Sequence, residues 1–193
     1  MIQSAFDREL VIQVDSIELK GILTIPAKAT GIILFSHGSG SSRLSPRNNF
    51  VAKVLQQKGF ATLLFDLLTY DESLNYSTRF NISLLTQRLV NTCNWLKENE
   101  RTKDFPVGLF GSSTGAASAL AAASTMESKI KAVVSRGGRP DLALPYLEEV
   151  NAATLFIVGG NDKTVLELNE EAFALLGSKK KKYGSRSRGY APV

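Results

Sequence analysis

The chain has 193 residues, a net charge of +5, one cysteine and 44% hydrophobic residues. That length and composition suit one folded domain with a sizeable core rather than a disordered chain. A single cysteine, Cys93, excludes an internal disulfide framework. The positive charge is local: Lys179, Lys180, Lys181, Lys182, Arg186 and Arg188 follow the last acid, Glu171, and residues 1–178 carry a net −1. The body of the protein therefore has no general attraction for polyanions, and nucleic acid is not the expected partner. The first residues, "MIQSAFDREL", lack the basic-then-apolar pattern of a signal peptide. No apolar run reaches the roughly 18 residues of a spanning helix, so a cytoplasmic chain without membrane contact is expected.

In chain order, "ELVIQVDSIELKGILTI" (9–25) holds two β-rich runs around Asp15-Ser16, with the alternation of an antiparallel hairpin. "GIILFSHG" (31–38) is a short continuous apolar run closed by glycine, as in a strand buried on both faces. "PRNNFVAKVLQQKG" (46–59) opens on Pro46 and stops at Gly59, which predicts a helix. Strand and helix then alternate. Strands are predicted at 61–68, 106–110, 131–135 and 153–160, and helices at 81–100, 114–124 and 164–177. In the helix over 81–100, Leu85, Leu89, Cys93 and Leu96 share one face, so Cys93 and Trp95 read as core residues. Such alternation predicts an α/β fold: a mostly parallel sheet with an N-terminal antiparallel hairpin and helices on both faces. Sites in such sheets lie at the carboxyl ends of the strands.

Three loops at those ends carry chemistry. Gly111-Ser112-Ser113-Thr114-Gly115 matches G-x-S-x-G between a buried strand and a small-residue helix, the context of a nucleophile elbow. Ser113 is then presented at a helix N-terminus, where the backbone dipoles favour developing negative charge. "SHGSGSS" (36–42) can aim a backbone N–H at that serine. The expected oxyanion donors are the N–H groups of Ser39, with Gly40 as its alternative, and of Thr114; His37, Gly38 and Gly40 support the loop. A phosphate loop is excluded there, because Arg43 stands where G-x-G-x-x-G needs its third glycine. In "VGGNDKTV" (158–165), Asp162 is the candidate acid, though an Asp there also suits the N-cap of the next helix. Asp141 is the alternative acid, and Asp66, at the end of "LLFD", reads as structural.

The ordered set "SHGSG", "FDLLT", "GLFGSSTGAAS", "SRGGRPDLA" and "LFIVGGNDKTV" resembles the α/β-hydrolase superfamily, and more narrowly its dienelactone-hydrolase-like serine hydrolases. The resemblance spans about residues 5–178. It implies an α/β-hydrolase domain without a cap insertion over 1–178. It further implies hydrolysis of small carboxylic esters or lactones through a Ser–Asp–His triad, without metal or cofactor. Dienelactone hydrolases proper use a cysteine nucleophile, so Ser113 does not carry their substrate over. Oligomeric state is left open.

A triad histidine should follow the acid in chain order. The single histidine, His37, precedes the nucleophile and reads as a brace for the oxyanion loop. "KKYGSRSRGYAPV" also shows no apolar alternation, so the last strand of the sheet is expected to be missing and residues 179–193 to form a basic tail. The lysine run is encoded by adenine-rich codons. Read one base on, the codons of "YGSRSRGYAPV" permit Met-Glu-Val-Val-Pro-Gly-Ala-Thr-His-Leu-Phe, a β-rich run followed by a histidine. An out-of-frame tail from about Tyr183 is therefore expected, and with it an impaired enzyme. The rival readings are a scaffold that binds a ligand or protein without catalysis, and a tail that binds nucleic acid or an anionic membrane.

Overall fold

The computed structural model describes residues 4–177 and 180–185. They form one eight-stranded sheet flanked by helices. Strands β1 (Ser4–Val14) and β2 (Ile17–Pro26) make the predicted antiparallel hairpin, turning at Asp15 with φ +52°. Strand β2 then pairs antiparallel with β4 (Ala61–Phe65), and from there the sheet is parallel. Strand β3 (Ile32–Ser36) lies between β4 and β5 (Val107–Ser112), followed outward by β6 (Ile130–Arg136), β7 (Ala153–Gly159) and β8 (Lys180–Ser185).

The core is divided by the sheet. On one face, α4 (Ile82–Glu98), α5 (Thr114–Met126), a 3-10 segment (Pro140–Glu149) and α6 (Lys163–Leu175) bury Leu85, Leu120, Leu147 and Ala172 against Leu34, Leu63, Leu109 and Phe156. On the other, α1 (Pro46–Gln57) covers Phe35, Leu64 and Phe110 with Ala52, Val51 and Leu55. Neighbours along β3 and β4 thus point to opposite sides, which is why both strands read as unbroken apolar runs. The order β4-β3-β5 puts β3 and β5 side by side, Ser36 level with Gly111. The loops leaving these two strands therefore meet.

Two features depart from the sequence reading. Two short helices, α2 (Tyr70–Leu74) and α3 (Tyr76–Arg79), lie in the connection after β4; they are set by local caps, a Thr69/Glu72 capping box and the Asn75 carbonyl, rather than by an apolar stripe. The second is a correction: the last strand is present. Strand β8 pairs parallel with β7 from Thr154–Lys180 to Gly159–Ser185. The error came from equating apolar alternation with pairing. Alternation reports a buried face, whereas the ladder is made by backbone groups, and lysine is a common resident of sheet edges. The expected tail at 179–193 thus contains a strand, and β7 has no open edge. Residues 186–193, which hold most of the segment read out of frame, lie outside the described residues.

Candidate active site

Ser113 sits between the last residue of β5 and the first of α5, with φ +52° and ψ −124°. That backbone region is costly for any residue with a Cβ and is held here by its surroundings. The surroundings are small because the turn is tight. A Cβ on Gly111 would stand 2.5 Å from the Ala116 Cα, and one on Gly115 would meet the Ser36 carbonyl and lie 2.5 Å from that of His37. The elbow is thereby pressed against the end of β3. Ser113 is exposed between buried Ser112 and Thr114. Its side chain does not cap α5 and has no hydrogen-bond partner among the described residues, while the Ser113 carbonyl accepts the Ala116 N–H at 3.0 Å.

The loop after β3 lies directly over this serine. A Cβ on Gly38 would be 3.0 Å from the Ser113 Cβ and 3.7 Å from its Oγ. The next residue bridges the two loops: the Ser39 N–H donates to the Thr114 Oγ1 at 2.9 Å. The expected oxyanion donor is therefore already engaged by a side chain of the elbow. Gly40 follows with φ +72°, a conformation suited to glycine. Farther along, Asp66 at the end of β4 grips Arg43 twice, accepting from its backbone N–H at 2.7 Å and from its guanidinium at 2.7 Å.

His37 is buried and both ring nitrogens are used. Nε2 accepts the Leu67 N–H at 3.1 Å, which leaves Nδ1 protonated to donate to the Gly38 carbonyl at 3.0 Å. Burial holds its pKa below the ordinary value, against the opposing influence of the Gly38 carbonyl and Asp66. This imidazole is a neutral brace between two loops. It has no free nitrogen with which to take a proton from Ser113.

Among the described residues neither candidate acid is hydrogen-bonded to Ser113. Asp162 follows β7 and is exposed; its carboxylate accepts the Val165 N–H at 3.2 Å and so caps α6. Asp141 is occupied by Arg139, whose Nε and Nη2 reach its two oxygens at 2.8 and 2.7 Å. The Arg139 pKa is correspondingly raised by that hydrogen bond. Cys93 is buried and its thiol is pushed up to about 12 by desolvation, which makes it inert at neutral pH. Among the described residues no group of three or more His, Cys, Asp or Glu is placed to hold a metal ion, and no helix is long and apolar enough to cross a membrane.

A cavity of about 470 Å³ opens beside the loop after β3, lined by Lys20, Ser39, Ser41, Thr69, Arg79 and Thr114 among others. Arg79, from α3, is the residue that the sequence reading missed. Among the described residues its buried Nε has no hydrogen-bond partner, and its Nη1 stands 3.8 Å from where a Cβ on Gly40 would be. Its guanidinium lies 5.6 Å from the centre of the Tyr76 ring. Nothing in "TYDESLNYSTRF" marks this arginine: the segment has no periodicity, and only the fold brings it to the loop.

The profile of the α/β-hydrolase fold family matches residues 31–187. The chain belongs to the α/β-hydrolase family. Within that family it is dienelactone-hydrolase-like: the crystal structure of a dienelactone hydrolase from Anabaena variabilis superposes on this chain with a TM-score of 0.92 and 50% identity, over 95% of this chain and 86% of that one. A cold-adapted esterase from an Arctic intertidal metagenomic library shares the fold, with a TM-score of 0.77 at 16% identity over 95% of this chain and 87% of its own. Proteins from two Mycobacterium tuberculosis strains, named for a phosphoribosyl transferase, are 51% identical over 173 residues, 90% of this chain and 39% of their own length. The chain thus spans about two fifths of the length of these curated relatives.

Proposed function

We propose that this chain is a serine hydrolase of small carboxylic esters or lactones, with Ser113 as the nucleophile. The observation that carries this reading is the elbow itself: an exposed serine at φ +52°, uncapped at a helix N-terminus and facing Gly38 of a second loop. Ser113 Oγ would add to the ester carbonyl while its proton leaves to a base, and the carbonyl oxygen would be held at the N-terminus of α5. The similarity to a dienelactone hydrolase and to esterases supports ester chemistry. The transferase name of the Mycobacterium relatives is not carried over, since the match covers 39% of those proteins.

Asp162 is the proposed acid, by its place at the end of the strand two beyond the elbow strand. The base is not His37, whose nitrogens are both engaged, and no histidine follows Asp162 in these 193 residues. The chain is accordingly expected to turn over slowly, at the ~10³–10⁴ over water that an oxyanion site and binding retain without a full triad. The out-of-frame reading from about Tyr183 gives the histidine a source, and sequencing the gene across the lysine codons tests it.

Arg79 refines the substrate class. An arginine whose buried Nε has no partner among the described residues, beside a hydroxyl-lined cavity, favours an ester that carries an anionic group. The test is hydrolysis of p-nitrophenyl acetate and of a p-nitrophenyl hemiester of a dicarboxylic acid by the full chain and by Ser113→Ala. Hydrolysis that disappears in Ser113→Ala and favours the hemiester supports both parts. Equal rates in parent and Ser113→Ala remove the nucleophile, and indifference to the second carboxylate removes the role of Arg79.

A further inference from the structure

The hydroxyl of Thr114 is in an unusual position for a helical threonine. In the same helix Ser118 and Thr125 return their hydroxyl protons to carbonyls of the preceding turn, Gly115 at 3.1 Å and Ala121 at 3.0 Å. Thr114 is the first residue of α5, so no preceding helical turn offers it a carbonyl. Its Oγ1 instead accepts the Ser39 N–H at 2.9 Å, and no acceptor takes its own proton among the described residues. The residue is 1% exposed, yet it lines the cavity beside Ser39 and Gly38. A buried hydroxyl normally uses its donor. This one belongs to a residue that lines the cavity.

We propose that the Thr114 side chain is itself an oxyanion donor, a role that rests on Ser113 being the nucleophile. At rest the hydroxyl accepts the Ser39 N–H and so fixes the oxyanion loop against the elbow. When Ser113 adds to a carbonyl, the same hydroxyl donates a hydrogen bond to the oxygen that gains charge, while its proton stays on Oγ1. The Thr114 N–H supplies a second donor from the first turn of α5. The Ser39 N–H then has two oxygens within its reach rather than one. The γ-methyl restricts the rotamer, so the donor is preset rather than recruited.

The experiment is phosphorylation of the full chain by diethyl p-nitrophenyl phosphate, followed by intact mass and nitrophenolate release. The Ser113 Oγ–P bond forms, the bond from phosphorus to nitrophenolate breaks, and the serine proton passes to water; the phosphoryl oxygen takes the place of the carbonyl oxygen. The parent should gain one diethylphosphoryl group and Ser113→Ala none. Thr114→Val and Thr114→Ala should label about 10²-fold more slowly, and Thr114→Ser should recover most of the rate. Hydrogen exchange at the Ser39 amide should accelerate in Thr114→Val and Thr114→Ala but not in Thr114→Ser. Two hydroxyl-free variants of different size, each checked by its melting curve, guard against a packing defect in one. A folded hydroxyl-free variant that labels at the parent rate, while Ser113→Ala stays silent, overturns the role of Thr114 alone. A parent that does not label at Ser113 overturns the nucleophile, and the donor with it.

Discussion

The Leu67 N–H donates to Nε2 of His37, and the opposite ring nitrogen donates to the Gly38 carbonyl. This pair ties the end of β4 to the loop after β3 through a neutral imidazole, and it makes stability depend on pH. The unfolded chain takes up a proton at this histidine near its ordinary pKa of about 6.5; the folded chain, with a lowered pKa, does so only at lower pH. Between the two values the unfolded state binds more protons, so stability falls as pH drops below about 6.5 and stops falling below the folded value. Melting temperatures of the parent between pH 8 and pH 5 should show this decline. His37→Gln should lose part of it, and identical pH slopes in the two proteins would show that His37 does not titrate as described.

Ser113 holds φ +52° and ψ −124°, where glycine is at ease and other residues are strained by about 1–3 kcal/mol. Ser113→Ala keeps the strain and removes the hydroxyl; Ser113→Gly removes both. In urea unfolding, Ser113→Gly should exceed Ser113→Ala by about 1 kcal/mol, even against the entropic cost of glycine. Alanine equal to or better than glycine would mean that the elbow carries no strain to release.

Much of this arrangement was legible in the sequence because it rests on local rules. G-x-S-x-G after a buried strand locates Ser113, and the run Ile32–Phe35 locates the loop that faces it. What escaped depends on contacts between distant segments. Arg79 is brought to Gly40 by two short helices without an apolar stripe. The grip of Asp66 on Arg43 spans 23 residues, so that the acid at the end of "LLFD" was legible as structural but its partner was not. The hold of Thr114 on Ser39 spans 75. Strand β8 was missed for another reason, since its ladder to β7 is backbone work that leaves little trace in side-chain pattern.

The Arg43–Asp66 pair shows how firmly the loop after β3 is anchored. The two side chains are 14% and 20% exposed, and the buried Arg43 Nε already has no partner among the described residues. Removing one member of such a pair leaves a poorly solvated charge behind, which costs more than an exposed pair is worth. Asp66→Asn should therefore destabilise the chain by about 2 kcal/mol and accelerate hydrogen exchange at the Arg43 amide, which the carboxylate also accepts. An unchanged denaturation midpoint with unchanged exchange would show that the loop is held by His37 and Thr114 without this clamp.

Asp162 has two candidate tasks, and substitution separates them. As the N-cap of α6 it accepts the Val165 N–H, and serine can do the same while alanine cannot. Asp162→Ala should thus lose about 1 kcal/mol in urea unfolding, and Asp162→Ser very little. An acid works in a triad only by orienting a histidine, and the ring of His37 is committed elsewhere. Phosphorylation of Ser113 in this chain should therefore proceed at the same rate in Asp162→Ser as in the parent. A frame-corrected chain that regains a histidine after β8 should behave differently, with Asp162→Ser slowing ester turnover by at least about 10²-fold. If the corrected chain is equally active with serine at this position, Asp162 is a helix cap alone and the acid must be sought at Asp141, freed from Arg139.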